Sequence, residues 1–422
     1  MTGLILPDYD EAPPRRASGA DGIPPAAGCF FMQAMTSDKR IFRAGGTVLW
    51  AVAFVVILIV ATWSPDTRSV VGVYRRGSEM FLARSPLYDL QQEMGYLYAP
   101  AFAALFVPFF KLGPYLGDAL WRILGFAVLT YAAVRQVRRV GGKDLLPMLS
   151  LGLLVALPVT AGAIRNGQAT ILLTGACWLL TLSALENRRA ETLLWATLAL
   201  VAKPTAIVML LLVGALRPRL IGWLLLALLF VLALPYAFAP ADYVGALNRA
   251  FLGLLTSMSV DPSGAFVAAD FTAPFAALGS PLAEMPATVL RVAAALLTLL
   301  AVIWYDRNAE PGPAGLAIFL TAAFYMCIFN PRVESNTYAM LAMPCGLAVA
   351  LIRREDGRGM LGLACAFALF AAGFSGVTSG IHHALDLWFR PVILSAITLP
   401  VLAWLCIAAR RPARAPELGA HV

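Results

Sequence analysis

Long apolar runs separated by short polar gaps set the pattern of this chain. Runs of about 18 to 20 residues recur, enough helix at 1.5 Å per residue to cross a hydrocarbon core about 30 Å thick. They predict ten membrane-spanning helices, at 46–64, 115–135, 145–163, 169–186, 220–238, 286–305, 313–329, 338–352, 359–376 and 388–408. Lysine and arginine cluster in every second gap. One gap holds Arg135, Arg138, Arg139 and Lys143, and the next holds Arg188 and Arg189. Arg217 and Arg219, then Arg307, then Arg353, Arg354 and Arg358 follow, with Arg410, Arg411 and Arg414 after the last run. Basic residues in alternate gaps mark the cytoplasmic side of a multi-pass protein. Both termini are therefore expected inside, and the other gaps share the extracytoplasmic face.

Three segments depart from that alternation. Residues 191–216 are apolar but interrupted by Lys203-Pro204, with arginines at both ends. Two halves of about 12 residues are each too short to span. If both ends are cytoplasmic, the segment enters and returns as a re-entrant helical hairpin with Lys203 at its tip. The alternative is one long tilted span kinked at Pro204, which places Arg217 outside. Residues 98–112, with Pro100 and Pro108, fit a helix lying at the outer interface or dipping into it better than a full span. The outer segment 239–285 carries Asp242, Asp261 and Asp270 among aromatics and reads as a partly ordered lid or as short helices on the membrane. Residues 1–45 lack an apolar pattern and read as a disordered cytoplasmic tail, 46–410 as one transmembrane domain, and 411–422 as a second tail.

Composition narrows the class. The 422-residue chain is 60% hydrophobic and 13% charged, with a mean hydropathy of +0.77, whereas a soluble domain carries about 25% charged residues. The net charge of +8 does not call for a nucleic-acid partner, because twenty of the 32 lysines and arginines lie in the gaps assigned to the inside. Six scattered cysteines have no metal-ligand spacing, so no disulfide and no metal site is expected from them. His382-His383 is an adjacent pair whose side chains diverge on a helix, which disfavours joint metal ligation. No cofactor is called for.

The candidate chemistry sits in the outer gaps. Arg165, Lys203 and Arg332 fall on one predicted side and form a candidate cationic clamp for phosphate oxygens at the membrane boundary. Lys203 stands out, because a charge deep in a bilayer costs about 2.5–3.5 kcal/mol or more and marks a cavity. Transfer of a sugar from a lipid phosphate needs cations for the departing phosphate and a carboxylate for the acceptor hydroxyl. Asp66, Glu79, Asp89 and Glu334 are the outer carboxylates, the first three being the candidate catalytic bases. Tyr74, Tyr98, Asn166, Gln168, Glu334 and Asn336 are the candidate substrate-binding residues.

Four stretches carry a resemblance to a known family: Val70-Val71-Gly72-Val73-Tyr74 continuing to Ser85-Pro86-Leu87-Tyr88; Tyr96-Leu97-Tyr98-Ala99-Pro100; Gly167-Gln168 followed by Ile171-Leu172-Leu173; and Ala202-Lys203-Pro204 with Asn330-Pro331-Arg332 further on. Together they resemble the polyprenol-phosphate-sugar-dependent glycosyltransferases of family 87, which include mannosyltransferases of the GT-C class. The resemblance implies an all-α polytopic GT-C-like fold, a polyprenyl-phosphate sugar donor and a lipid or glycan acceptor. It also implies an active site on the extracytoplasmic side of a bacterial-type inner membrane. It further implies an aspartate in the first outer loop, four residues before the loop tyrosine, as general base. That position is Val70, which takes no proton; Asp66 lies four residues upstream, with Glu79 and Asp89 as substitutes. The competing reading is a non-enzymatic carrier or flippase for lipid-linked sugars, or a catalytically altered binding member of the family.

Overall fold

The computed structural model describes residues 26–88, 95–141, 145–257, 269–331, 333–356, 362, 365 and 389–409. Among them the secondary structure is helical throughout. In chain order the helices are α1 (Ala26–Trp63), α2 (Val71–Leu82), α3 (Pro100–Lys111), α4 (Gly113–Val140) and α5 (Leu145–Asn166). Then come α6 (Ala169–Leu185), α7 (Arg189–Ala202), α8 (Ile207–Leu216), α9 (Ile221–Ala233) and α10 (Ala241–Ser257). The last are α11 (Ala273–Ala277), α12 (Glu284–Asn308), α13 (Pro311–Ile328), α14 (Ala339–Asp356) and α15 (Phe389–Ala409). Eight helical segments among the described residues are long and apolar enough to cross a membrane. The chain is an all-α polytopic membrane protein. Of the ten expected spans, 169–186 is the 17-residue α6, and 359–376 lies outside the described residues apart from two positions. The tail expected over 1–45 is helical from Ala26 onward.

Burial sorts the helices into a centre and a rim. α6 is apolar on every side and almost wholly buried, as expected of a helix surrounded by protein. α13 and α14 join it at the centre, whereas the apolar stretch of α12 is only 11% buried and turns Val289, Leu296, Leu297 and Leu300 outward. α5 and α14 pack closely because two glycines meet there: a Cβ on Gly346 would stand 2.4 Å from the Gly152 carbonyl oxygen. Small residues at a membrane helix crossing allow this approach.

The two ends of the 191–216 segment are each fixed by ion pairs. α6 ends with Asn187 in the left-handed region (φ 54), where Arg188 N–H returns to Ser183 O. There Arg135 of α4 pairs with Glu186 and Glu191, Arg139 with Glu186, and Arg188 with both glutamates. This fixes the start of α7. The end of α8 is fixed by Arg217, whose guanidinium donates two 2.7 Å bonds to Asp306 near the end of α12. α13 begins just beyond, and its Pro311 and Gly312 carbonyls accept from Arg139 and Gln136 of α4. Both feet therefore lie on one face of the bundle, and the chain reverses between them. The alternative of a single kinked span does not fit this arrangement. Pro204 forces the preceding residue out of the helical region, and Lys203 is accordingly extended (φ −156, ψ 137). A 14-residue α7 rises about 21 Å, most of the way through a bilayer core.

The helix expected over 98–112 is α3. It is buried on most sides, packed between α2 and α4.

Candidate functional site

The site is assembled where α5 turns into α6. α5 closes with a glycine-dependent cap: Gly167 has φ +73, its N–H bonds to Ile164 O, and Gln168 N–H bonds to Ala163 O. This is the arrangement a left-handed glycine after a helix end provides. Gly167 is also hemmed in, since a Cβ there would stand 2.3 Å from Val71 and 3.3 Å from the Arg122 guanidinium. Trp121 donates to its carbonyl at 2.8 Å.

Against this turn lies α2. Val71, Tyr74, Ser78 and Phe81 recur at helical spacing and are buried, while Arg76 and Glu79 are exposed. Tyr74 is fully buried, with its ring edge-on to Tyr98, Phe102, Phe106 and Trp121. Its hydroxyl shares a 2.9 Å hydrogen bond with that of Tyr98 and accepts the Ala169 N–H at 3.1 Å. Burial holds the Tyr74 phenol above its ordinary pKa range, opposed by these two hydrogen bonds. Asn166 accepts the Val70 N–H on both its backbone and side-chain oxygens, at 3.0 and 3.1 Å.

Two charged clusters flank the turn. In the first, Arg75 of α2 bridges Asp66, whose side chain is 77% exposed, and Asp118 of α4, whose side chain is buried, at 3.0 Å. One Asp118 oxygen is buried without a hydrogen-bond partner. Arg122, one turn on, is buried; it donates to the Arg165 carbonyl, the Ser69 hydroxyl and the Asp118 carbonyl.

The second cluster surrounds the hairpin tip. Gln168 is buried and donates to the exposed Glu334 carboxylate at 3.4 Å. Glu334 also acts electrostatically on Lys203, Tyr74 and Tyr98. Among the described residues the Lys203 ammonium makes no hydrogen bond and no close ion pair.

The family model for glycosyltransferase family 87 matches residues 96–331, more than half of the chain. The chain belongs to glycosyltransferase family 87. No curated protein and no solved structure matches it. The matched stretch of this family-87 glycosyltransferase includes Tyr98, Asp118, Arg122, Arg165, Gln168 and Lys203, and stops just short of Glu334.

Of the residues expected from the sequence, the fold brings together Tyr74, Tyr98, Gln168, Lys203 and Glu334. Tyr74 and Asn166 are occupied with internal bonds, so they support the site's backbone. Arg165 is half-buried in the last turn of α5, with its Nε buried and unbonded. Asn336 lies in the short 3-10 turn after Glu334, Ser335–Tyr338. Glu79 is exposed on α2, and Asp66 is tied to Arg75 in the first cluster rather than to Lys203. Asp89, Arg332, His382 and His383 lie outside the described residues. Sequence reasoning missed Asp118 and Arg122. Their signal was present: two charges at i and i+4 inside an otherwise apolar span, which a bilayer tolerates only where they face protein or water.

Proposed function

We propose that this membrane glycosyltransferase moves a sugar, mannose or another hexose or pentose, from a polyprenyl-phosphate donor to a lipid or glycan acceptor. The transfer takes place at the extracytoplasmic face of the inner membrane. The observation that carries the reading is Lys203: an ammonium without an ion pair among the described residues, at the tip of a hairpin whose feet share the face rich in arginine. A polyprenyl donor presents its phosphate at such a depth, where the chain ends and the headgroup begins. When the anomeric C–O bond breaks, negative charge gathers on the phosphate, and a preorganised cation stabilises it. Lys203 fills that role, with Arg165 and Arg332 as its partners. Gln168, Glu334, Tyr98 and Asn336 orient sugar hydroxyls.

The acceptor hydroxyl must lose its proton to a carboxylate. Asp66 is the proposed base: it is exposed and oriented by Arg75. Glu79 and Asp89 are its substitutes. The purified protein is tested with polyprenyl-phosphate sugars and nucleotide sugars in parallel. Transfer from the lipid-linked donors alone is the expected result. Transfer from nucleotide sugars alone would overturn the donor assignment, and sugar-lipid translocation without transfer would favour the carrier. Turnover lost in Asp66→Asn but kept in Glu79→Gln supports the base; full turnover in Asp66→Asn removes Asp66 from that role.

A further inference from the structure

The segment beginning at residue 269 is fastened to the loop that carries Glu334. Ala269 N–H donates to Val333 O at 2.8 Å and Phe271 N–H to Ile328 O at 2.9 Å, so two backbone bonds bracket the loop. The Tyr338 hydroxyl donates to Ala269 O, and the Phe271 ring packs on Phe329 with centroids 5.1 Å apart. Between the two backbone bonds sits Asp270, a fully buried carboxylate. One of its oxygens accepts from the Thr272 N–H and hydroxyl, and the other from Arg291 of α12 at 2.7 Å. The Arg291 guanidinium also lies over the Phe271 ring, 5.3 Å from its centroid.

A buried ion pair is a weak source of stability, because desolvation offsets most of its attraction and apolar side chains of similar size do as well. Its directional bonds, however, favour the arrangement of groups that keeps all of them made. Here they hold the strap 269–271 in one register against 328–333, and α12 supplies the anchoring cation. Glu334 follows directly on Val333.

We propose that the Asp270–Arg291 pair is a positioning element of the donor site: it fixes the strap on the Glu334 loop and so sets where Glu334 stands relative to Gln168 and Lys203. This rests on the reading of Glu334 and Lys203 as donor-binding groups. Asp270 and Arg291 touch no substrate; they act through Glu334.

A double-mutant cycle on donor kinetics tests it. Glu334→Gln and Asp270→Asn each raise the donor KM about tenfold with a smaller change in kcat, and the double variant is no worse than the worse single one. Multiplied effects would overturn the proposal, since general destabilisation combines independently with loss of Glu334. Tyr338→Phe removes one hydrogen bond donated to the strap without unpairing a charge, and it shifts KM the same way by less. Hydrogen exchange gives a readout independent of activity. The amides of Ala269 and Phe271 exchange faster in Asp270→Asn while those of α6 do not. Unchanged exchange at both would overturn the proposal, whether or not the wild-type protein uses polyprenyl donors.

Discussion

Where α4 and α6 end and α7 begins, Arg135, Arg139 and Arg188 are shared among Glu186 and Glu191, and Arg217 forks onto Asp306 nearby. At the opposite end, Lys203 has no ion pair among the described residues, the Nε of Arg165 is buried and unbonded, and one oxygen of Asp118 is buried without a partner. At the first end these four arginines find carboxylates within the protein, as at a structural joint. The second leaves polar groups without internal partners among the described residues, and each such group calls for an explanation such as water, strain or a ligand. That end is also where α2, the α5–α6 turn, the hairpin tip and the Glu334 loop converge.

Replacing Lys203 should have the largest effect. Lys203→Met, which keeps length and apolar contact, is expected to lower sugar transfer by about 100-fold or more, the usual scale for a lost transition-state stabiliser. Its thermal unfolding should stay near that of the wild type. A large loss of stability with turnover preserved would move Lys203 to the structural side.

The complementary change is Asp306→Asn. It leaves Arg217 with a partly buried guanidinium and no carboxylate, costing about 1–2 kcal/mol once partial exposure is allowed for. A lower unfolding midpoint in detergent, with turnover per folded molecule unchanged, is the expected outcome. Impaired transfer at full stability would show that the hairpin foot communicates with the tip.

The smallest effect concerns Tyr74. Burial raises the phenol above its ordinary pKa of 10, so the folded protein holds this proton at pH values where the unfolded chain has released it. Stability from this group is complete below about pH 10 and declines as pH rises beyond it. Tyr74→Phe should cost about 1 kcal/mol at neutral pH through its two lost hydrogen bonds. It should also flatten the decline in alkaline unfolding scans. An unaltered alkaline slope would mean that other buried phenols dominate it.

Much of the architecture was legible in one dimension. A span is a run of apolar residues matched to the thickness of the bilayer, and arginine placement is a property of order along the chain. The hairpin was legible for the same reason: arginines flank both ends, and Pro204 breaks the helix between them. The site was only partly legible. Lys203 announced itself by its apolar neighbours, whereas Tyr74 looked like a sugar-binding phenol until packing directed its hydroxyl to Tyr98 and Ala169. Asp118 and Arg122 were visible as paired charges inside a span, yet their contact with Arg75 depends on how α2 lies across α4.

Order along the chain was enough for the all-helical membrane class, the reversal at Lys203-Pro204 and the gaps that hold the cations and carboxylates. These follow from hydrophobic matching, charge asymmetry and the geometry of proline, all of which act locally along the chain. Packing in three dimensions settled which charges find partners within the protein. Glu334 meets Gln168 and faces Lys203 across long sequence separations, and Asp270 finds Arg291 on another helix. Such pairings arise from three-dimensional packing, and no local pattern encodes them.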